Sequence, residues 1–567
     1  MKNACKFLAA IFAVIALFSL SACGANDDKD EWDGVKVTDN TLAQTMQVES
    51  GIANPPTVVC DLESRGAYDK LTSAEHKPSS VILRLNDKYN VVDSQGEKLC
   101  SFQELYRNVL SGRIIPIIYV ADDNEAQRAI ELFTARYDLL DAAVMSDDPS
   151  CVKTVRKAVP KIGGIVEFNG LDDVHDAVRV TNANLASVAV IPQNIATAEN
   201  VFYIQSRFKT VWVRPDDSQK RNLFDCINSG AYGIISDDYS GVIYALGEYG
   251  EHSATRMPFV VAHRGLPNTY NENSVSGAKA AIAAGATHLE IDGYLTQDNR
   301  IAIMHDHTIE RTSDGEGVIE DYELNELQIF NLDLFHPKEP IPSLDDILQA
   351  MKGSNIVLLF EIKSQKAEIV NALKTALETF GMEKQVIVLT SHSKILSAMA
   401  RVLPEIPTAF LTAISKDTID GILATLRLFN SVYSAPFDGV TPNMNAKMRD
   451  RGIVGWYWTY DTVADMKSAV SVGYTGLTTN VADKFVNETA TKYVRIKGDS
   501  NVAIVPTADK EIALIGITYQ NTQEKIIGKV FWTQYFGDKY AVIACFSMAN
   551  DENIFLTVYT QIFYINK

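Results

Sequence analysis

The sequence predicts an α/β protein in which a (β/α)8 TIM-type barrel is preceded by a degenerate barrel-like αβ domain and followed by a small antiparallel β module. Short β-branched runs alternate with amphipathic stretches of about 10 to 15 residues, the pattern of βα units on a parallel sheet. The chain has 567 residues, which at about 150 residues per domain suggests three or four domains. From about Arg495 the pattern becomes a period-two alternation with polar turns and no helical stretch.

The N-terminus predicts an exported protein. Two lysines precede an apolar run over residues 7–20, which is shorter than the roughly 20 residues that span a bilayer. Residues 1–22 therefore predict a signal peptide, and Leu-Ser-Ala-Cys at residues 20–23 resembles the lipobox of bacterial lipoproteins. We expect Cys23 to be lipid-modified and to anchor the protein to a bacterial membrane, on its periplasmic face or at the cell surface. An ordinary signal peptide with an incidental cysteine is the alternative.

The segment after the signal, residues 23–55, is expected to be the lipidated cysteine and a flexible tether. It is polar and contains the charged run Asp27–Glu31. Such a composition cannot bury enough apolar surface to fold by itself.

Cysteine spacing gives no function. Five cysteines follow the tether, at positions 60, 100, 151, 226 and 545, and none lies in a CxxC or Cys/His metal spacing. An exported compartment allows disulfides among the first four, but their pairing, or their burial as free thiols, stays open.

The charge balance argues against a nucleic-acid partner. The chain carries 71 acidic and 52 basic side chains, a net charge of −19. A duplex-binding surface needs a basic footprint, and no lysine- or arginine-rich run occurs. Phosphate is therefore expected to be bound by local groups.

The first αβ domain is predicted over residues 56–246. Its strand-like runs are Val81–Leu85, Ile114–Val120, Gly164–Phe168, Ser187–Ile191, Val211–Val213 and Gly233–Ser236. Amphipathic stretches such as Glu125–Arg136 lie between them, which predicts βα units.

The (β/α)8 barrel is predicted over residues 257–494, and a β module over residues 495–567. The eight strand-like runs of the barrel are Phe259–Ala262, His288–Ile291, Ile301–Met304, Ile356–Ile362, Gln385–Leu389, Thr408–Leu411, Gly455–Trp458 and Gly476–Thr478. Eight strands with helices between them predict a closed barrel.

The two αβ domains share two sequence parallels in the same order. Residues 211–216 parallel residues 456–461, and the Gly-rich strand starts that follow them are also alike. Ser101–Leu105 and Ser343–Ile347 each precede an apolar strand. These parallels favour a duplication, although independent βα domains could mimic them.

Residues suited to phosphate-ester chemistry concentrate in the second domain. His263 and Arg264 follow the first strand, at the barrel end where such folds place catalytic groups. Glu290 and Asp292 lie two residues apart and so share one face of the next strand. His305 follows Met304, and Glu361 and Lys363 follow an apolar strand. A lone histidine at such a position would more often be structural, and an isolated Glu-x-Asp pair would more often be solvated.

These groups suggest a metal-assisted hydrolase. Three carboxylates, Glu290, Asp292 and Glu361, form an oxygen-rich site suited to Ca²⁺ or Mg²⁺ rather than zinc. The charges of Arg264 and Lys363 suit a substrate phosphate. His263 and His305 titrate near neutrality, as a general acid and base must.

In these residues the second domain resembles the glycerophosphodiester phosphodiesterase family. The matching motifs, in order, are His263-Arg264-Gly265, Glu272-Asn273-Ser274, Glu290-x-Asp292, Thr296-x-Asp298, His305-Asp306, Glu361-x-Lys363 and Trp458-Thr459. The resemblance covers about residues 257–490. It implies a divalent cation on Glu290, Asp292 and Glu361, with His263 and His305 as the acid-base pair and Arg264 and Lys363 on the phosphate.

The chemistry implied by the resemblance is hydrolysis of a small-molecule glycerophosphodiester to glycerol 3-phosphate and an alcohol through a cyclic phosphate. By analogy with phosphatidylinositol-cleaving barrels, His263 is expected to be the base and His305 the acid. Two residues depart from the family pattern, since Ser274 replaces a threonine and Asn480 stands where an aspartate usually follows the last strand.

The first domain is expected to be non-catalytic. Arg84-Leu85-Asn86 is predicted at the position of Glu290-Ile291-Asp292, and Tyr119 or Val120 at that of Glu361. Without carboxylates at these positions it cannot hold the metal.

Two other functions stay open. The chain could be a surface-anchored binding protein for glycans or phosphopolymers. It could instead be a phosphodiesterase for lipid head groups or wall polymers, with a wider groove lined by the first domain and the β module. Neither leaving-group specificity nor oligomeric state can be deduced from the sequence.

Overall fold

The computed structural model describes residues 35–216, 223–335, 338–413, 419–489, 495–502, 505–550 and 553–567. The predicted signal peptide and the predicted lipidated Cys23 lie outside the described residues. No helix in the described ranges is long and apolar enough to cross a membrane. All five cysteines after the predicted tether are free thiols, and four of them are buried.

The first barrel is closed by eight parallel strands. Its strands are Thr57–Asp61, Ser80–Leu85, Ile115–Tyr119, Ala143–Ser146, Gly163–Glu167, Val188–Pro192, Thr210–Arg214 and Gly233–Ser236. Its α-helices are Arg65–Ser73, Phe102–Leu105, Asp123–Glu131, Pro149–Ala158, Asp176–Ala183, Ala198–Gln205, Leu223–Asn228 and Tyr239–Gly247. The barrel predicted for this domain is confirmed, and the sequence missed two of its strands, Thr57–Asp61 and Ala143–Ser146, because both are short and carry polar ends.

Two short π-helical turns and one hairpin complete the first barrel. The π-helical turns, Tyr106–Leu110 and Leu132–Arg136, continue the second and third helices. The hairpin strands Asn90–Val92 and Lys98–Ser101 follow the second barrel strand.

The second barrel is also closed by eight parallel strands. They are Phe259–Ala262, His288–Leu295, Val357–Ile362, Val386–Thr390, Thr408–Leu411, Ser431–Pro436, Gly455–Tyr460 and Gly476–Thr479. The α-helices around them are Val275–Ala284, Leu344–Met351, Ile369–Phe380, Ser393–Val402, Ile419–Phe429, Pro442–Arg449, Val463–Ser471 and Ala482–Thr489. The predicted (β/α)8 architecture is confirmed.

One predicted strand of the second barrel was assigned wrongly. Ile301–Ile303 pairs antiparallel with the end of strand two and is not a barrel strand, and the true sixth strand is Ser431–Pro436. Strand two is eight residues long, so it extends beyond the barrel, and the chain folds back on it through a turn at residues 296–300. A hairpin arm of this kind has the same apolar pattern as a barrel strand.

The loop after this hairpin arm contains a helix, Leu324–Leu327, and a two-stranded ribbon of Asn331–Leu332 and Glu339–Pro340. Short 3₁₀ turns occur at Ile319–Asp321, Glu383–Gln385 and Phe437–Gly439.

The C-terminal β module is a seven-stranded sheet. Its antiparallel strands are Arg495–Gly498, Glu511–Ile517, Gln523–Phe536, Lys539–Asn550, Asn553–Tyr559 and Phe563–Asn566. The seventh strand, Ser253–Ala254, comes from the segment between the two barrels and pairs parallel with Asn553–Tyr559. This matches the predicted antiparallel module.

Part of the predicted tether is ordered instead. Val37–Asp39 pairs with Tyr137–Leu139 beside the first barrel. The side chains of Leu42 and Ile52 are 4% and 3% exposed, and Thr45 donates a hydrogen bond to Asp450 of the second barrel. The expectation of a solvated tether up to residue 55 is therefore wrong for residues 37–54, because apolar residues scattered through a polar segment bury themselves against both barrels.

The two barrels pack against each other through the N-terminal ends of their strands. The Thr210 hydroxyl, at the start of a first-barrel strand, donates to the Gly452 carbonyl at 2.9 Å, and Gly452 lies just before strand seven of the second barrel. The rings of Phe208 and Trp456 meet edge to face with centroids 4.8 Å apart. The C-terminal rims of the two barrels consequently face in opposite directions.

The β module contacts the same middle region of the molecule. Tyr519 donates to the carbonyl of Pro258, which precedes the first strand of the second barrel. Gln520 donates to the carbonyl of Ala284, at the end of the first helix of that barrel. These contacts place the module at the N-terminal side of the second barrel, away from its C-terminal rim.

The two barrels share the internal parallels found in the sequence. Trp212 pairs with Gly233 in the first barrel, as Trp456 pairs with Gly476 in the second. A side chain at either glycine would collide with the indole of its tryptophan. Trp212 therefore corresponds to Trp456, one residue away from the sequence parallel.

Candidate active site

The candidate site lies at the C-terminal rim of the second barrel. Strand one ends in Ala262, and His263 and Arg264 follow it. Strand two carries Glu290 and Asp292, and Asp292 is directly paired with Glu361 on strand three. Adjacent parallel strands therefore bring the three predicted carboxylates together.

These carboxylates form one buried cluster. Glu290, Asp292 and Glu361 offer ligand oxygens that all lie within 4.8 Å of one another. The residues are 2%, 1% and 7% exposed, respectively. Oε1 of Glu290 is buried without a hydrogen-bond partner. A buried anionic oxygen with no partner is costly, so the cluster suits a divalent cation.

Burial and mutual repulsion shift the titration of these acids. Burial, together with the charges of Asp292 and Glu361, raises the pKa of Glu290 well above its usual value. Burial and Asp292 raise the pKa of Glu361 to about 7. Burial acts on Asp292 in the same direction, but Lys363 and Arg264 outweigh it and lower the pKa of Asp292. A site of this kind favours either protons or a metal ion.

The two predicted phosphate-binding cations lie against the cluster. Lys363 Nζ is 2.7 Å from Glu361 Oε1 and 3.3 Å from Asp292 Oδ1. Arg264 Nε is 3.5 Å from Asp292 Oδ2, and its Nη1 is 3.0 Å from Glu272 Oε1. Both positive charges are thus available at the rim, where they offset part of the negative charge of the cluster.

The backbone after strand one is adapted to present Arg264. Arg264 has a φ of 52° and Gly265 a φ of 88°, and the Arg264 amide donates to Glu290 Oε2 at 2.9 Å. A Cβ on Gly265 would lie 2.9 Å from the carbonyl carbon of Gly277. The glycine of the His-Arg-Gly motif is therefore required both by its conformation and by the close helix.

Asn273 orients Asp292. Its Nδ2 donates to Asp292 Oδ2 at 2.9 Å, and its Oδ1 accepts from the Asp292 amide at 3.1 Å. Ser274 then caps the next helix, accepting from the Gly277 amide at 2.9 Å. The serine that departs from the family pattern thus serves as an N-cap, a role that serine and threonine share.

His263 is held through an amide. Its Nδ1 lies 2.7 Å from Oδ1 of Asn480, and its Nε2 lies 4.0 Å from Glu290 Oε2. Asn480 Nδ2 in turn donates to Asp461 Oδ1 at 2.6 Å. Burial, with Arg264 beside it, lowers the pKa of His263 to about 4, so the imidazole is neutral at neutral pH.

His305 is held by a carboxylate. Its Nδ1 lies 2.6 Å from Asp306 Oδ1, and the Met304 amide donates to the Asp292 carbonyl at 3.0 Å. The hairpin arm of strand two therefore returns the chain to the rim beside Asp292. Although burial acts in the opposite direction, hydrogen bonds from Arg311 and His305 lower the pKa of Asp306 to about 2.

Arg311 links the His305 side of the site to Arg264. Its Nε donates to Asp306, while Nη1 and Nη2 donate to the two oxygens of Glu272 at 3.0 and 2.6 Å. Because Glu272 also contacts Arg264, a continuous set of ion pairs runs across the rim.

A tryptophan completes the described part of the rim. Trp456 lies in the barrel interior, and Trp458, two residues along strand seven, points to the same side at the rim. Its indole Nε1 is buried without a hydrogen-bond partner. Trp458 thus offers a hydrogen-bond donor and an apolar ring at the rim end of strand seven.

The first barrel has an ion-pair network at the equivalent rim. Register places Ile82 and Arg84 where the second barrel has Glu290 and Asp292, which corrects the predicted placement of Arg84-Leu85-Asn86 by two residues. Arg84 Nη1 is 2.6 Å and Arg214 Nη1 is 2.8 Å from the carboxylate of Asp61. This network satisfies the carboxylate with guanidinium groups.

The structure brings together all seven side chains that the sequence singled out at this site: His263, Arg264, Glu290, Asp292, His305, Glu361 and Lys363. It adds Arg311, Asp461 and the supporting roles of Glu272, Asn273 and Asn480. Glu272 and Asn273 belong to a motif found in the sequence, and Asn480 stands where the family usually has an aspartate. Asp461, by contrast, lies in no such motif.

Comparisons with known proteins agree with the location of the site. Residues 263–484 match the sequence model of the glycerophosphoryl diester phosphodiesterase family. A glycerophosphodiester phosphodiesterase from Caldanaerobacter subterraneus is 25% identical over 235 residues, which is 40% of this chain and 96% of that protein. The uncharacterized protein YqiK of Bacillus subtilis is 28% identical over 235 residues, 40% of this chain and 97% of its own.

A solved structure was also found to be similar. It is an Oleispira antarctica phosphodiesterase in complex with the product sn-glycerol-3-phosphate, 18% identical, with a TM-score of 0.37. The match covers 41% of this chain and 96% of that structure.

Proposed function

Residues 263–484 are a domain of the glycerophosphoryl diester phosphodiesterase family, and from that premise we propose that the second barrel hydrolyses glycerophosphodiesters to glycerol 3-phosphate and an alcohol by metal-assisted acid-base catalysis. The observation that carries the proposal is the buried cluster of Glu290, Asp292 and Glu361 beside two histidines with different partners.

The three carboxylates would hold one Ca²⁺ or Mg²⁺ ion. The oxygen donors and the unpartnered Oε1 of Glu290 support this assignment. When bound, the ion supplies positive charge that polarises the phosphoryl oxygens. Arg264 and Lys363 bind and orient the phosphate from the same rim.

His263 is the base of the first step. Its Nδ1–H donates to Asn480, which leaves the lone pair on Nε2 free to accept the proton of the glycerol hydroxyl next to the phosphodiester. That hydroxyl oxygen attacks phosphorus and forms the cyclic phosphate as the bond to the departing alcohol breaks.

His305 is the acid of the same step. Its Nδ1 lies 2.6 Å from Asp306 Oδ1, an acceptor that orients the ring and holds a proton on Nδ1. Nε2–H gives its proton to the departing alkoxide. In the second step the two histidines exchange roles, as water opens the cyclic phosphate to glycerol 3-phosphate.

The test is hydrolysis of a substrate panel by the purified protein. Glycerophosphodiesters with different head groups, lysolipids and teichoic-acid fragments would be supplied with Ca²⁺ or Mg²⁺, and glycerol 3-phosphate would be measured. We expect turnover on the small diesters, and none on an analogue whose glycerol hydroxyl next to the phosphate is methylated. Turnover of that analogue would contradict the cyclic step, and failure on every diester would contradict the function.

A wide groove lined by all three domains is not supported. The first barrel and the β module contact the second barrel at the N-terminal side of its strands, so a substrate reaches the site from the opposite side. We propose that the first barrel is non-catalytic and supports the fold, because Arg84 stands where Asp292 stands in the second barrel.

We also propose that the protein is anchored to a bacterial membrane through lipid on Cys23. The proposal is supported by the apolar run and the lipobox-like residues 20–23. Labelling of cells with a radioactive fatty acid should mark the protein, and Cys23→Ser should abolish the label and release the protein from the membrane fraction.

A further inference from the structure

We propose that Asp461 is a positioning residue for His263 and acts through the side chain of Asn480. The inference rests on the proposed function, in which His263 accepts a proton at Nε2. Nδ1 of His263 lies 2.7 Å from Asn480 Oδ1, and Asn480 Nδ2 lies 2.6 Å from Asp461 Oδ1. The three side chains form a chain of two hydrogen bonds that ends at the exposed carboxylate of Asp461.

The backbone of Asn480 is held by other hydrogen bonds, independent of this side-chain chain. Its amide donates to the Tyr460 carbonyl at 3.1 Å, and its carbonyl accepts from Asn268 Nδ2 at 3.1 Å. The His263 amide donates to the Thr479 carbonyl at 3.0 Å. Asn480 therefore stays next to His263. Its side-chain amide can still face the ring with either its oxygen or its nitrogen.

Asp461 decides that orientation. The carboxylate oxygen of Asp461 accepts the hydrogen bond from Asn480 Nδ2, so the NH₂ group of Asn480 faces Asp461 and its Oδ1 faces His263. Oδ1 in turn requires Nδ1 of His263 to carry the ring proton, which leaves Nε2 unprotonated. With the amide reversed, its NH₂ would donate to Nδ1, the proton would move to Nε2, and the ring could not act as the base.

A carboxylate at position 480 would need no orienting group. Both oxygens of an aspartate accept, so either one holds the proton of His263 on Nδ1. Asp461→Asn leaves the Asn480 amide free to adopt either orientation, because the introduced amide can donate or accept. The double variant Asp461→Asn/Asn480→Asp exchanges the two side chains between their positions. It has no amide at position 480, so His263 again faces an acceptor.

The test compares four variants: Asp461→Ala, Asp461→Asn, the double exchange Asp461→Asn/Asn480→Asp, and the control Asp438→Asn. Asp438 is another exposed aspartate, in the loop after the preceding barrel strand. We expect kcat to fall about tenfold in the two single variants, with KM within about twofold of the wild type. The double exchange should recover kcat to within about threefold, and the control should match the wild type.

A second measurement follows the ring proton directly. Correlation spectra of ¹⁵N-labelled histidine side chains distinguish Nδ1–H from Nε2–H, and His263→Gln assigns the signal. We expect Nδ1–H in the wild type and the double exchange, and an increased share of Nε2–H in Asp461→Asn. Tm measured alongside separates these effects from loss of folding.

Two results would overturn the inference. One is wild-type kcat in both Asp461 variants; the other is a double exchange as impaired as Asp461→Asn. If the wild-type protein hydrolyses no diester, the proposed function fails, but the spectra still decide the inference, since an unchanged His263 tautomer in Asp461→Asn would refute it.

Discussion

Arg84 of the first barrel stands at the strand position that Asp292 occupies in the second. In the first barrel Asp61 accepts a hydrogen bond from Arg84 at 2.6 Å, whereas in the second barrel Asp292 belongs to a cluster of three carboxylates. The same architecture therefore neutralises buried carboxylates by two means, with a guanidinium in one barrel and, as we propose, with a bound cation in the other.

Loss of the cation should abolish hydrolysis. We expect a chelator to lower turnover at least about 10²-fold, and excess Ca²⁺ or Mg²⁺ to restore it. Glu290→Gln should be inactive with either ion, because it removes a charged ligand from the cluster. Glu251→Gln is a surface control that should behave like the wild type, and full turnover in excess chelator would refute the metal site.

The stabilisation of the folded protein by the bound metal should increase with pH. The pKa of Glu361 is raised to about 7 in the fold, against about 4.3 in an unfolded chain. Its contribution to stability is therefore complete below about pH 4.3 and is lost as pH rises through 7. The free energy of unfolding of the metal-free protein should therefore be lower at pH 8 than at pH 6. A bound ion should offset this loss, because it interacts favourably with the ionised carboxylate.

The measurement is the rise in Tm on adding Ca²⁺ to chelator-treated protein. We expect a larger rise at pH 8 than at pH 6, and Glu361→Gln, which cannot titrate, should reduce that difference. Equal rises at the two pH values would contradict a protonated Glu361 in the metal-free site.

Both histidines should be needed for turnover and not for binding. His263→Ala and His305→Ala should each lower kcat at least about 10²-fold with little change in the Kd of a non-hydrolysed analogue, because the phosphate is held by other groups. His76→Ala, on the surface of the first barrel, is the control. Near-normal turnover in either active-site variant would remove that histidine from the mechanism.

Breaking the ion pair of the first barrel should affect stability alone. Arg84→Ala leaves the buried Asp61 with one guanidinium, and we expect the free energy of unfolding to fall by about 1–3 kcal/mol. Turnover per folded molecule should not change. Lys70→Ala breaks a surface pair with Asp238 and should cost less than about 1 kcal/mol. Denaturant unfolding would measure the stability of both variants, and parallel assays would measure their turnover. A loss of turnover per folded molecule in Arg84→Ala would indicate that the first barrel contributes to catalysis.

Most of the candidate site could be predicted from the sequence for a physical reason. In a parallel barrel the C-terminal ends of all strands meet at one rim, so residues such as His263, Glu290 and Glu361 are neighbours once each is assigned to a strand end. His305 was placed correctly although its strand was not, because the hairpin arm returns to the rim beside Asp292.

The supporting contacts could not be predicted in this way. Asn480 is 217 residues from His263, and nothing in the local sequence of Asp461 indicates that it faces Asn480. Residues 37–54 were expected to be a tether because their composition is polar, and their few apolar side chains find partners only on the assembled barrels.

Periodicity and residue type were enough to predict the two αβ domains, the β module and the chemical groups of the site, because both act within a strand or a helix. Contacts between distant segments select the strands that close each barrel, join the barrels through their N-terminal ends, and give each histidine its partner. Those features depend on contacts between residues hundreds of positions apart, whose free energy arises only when the chain is folded.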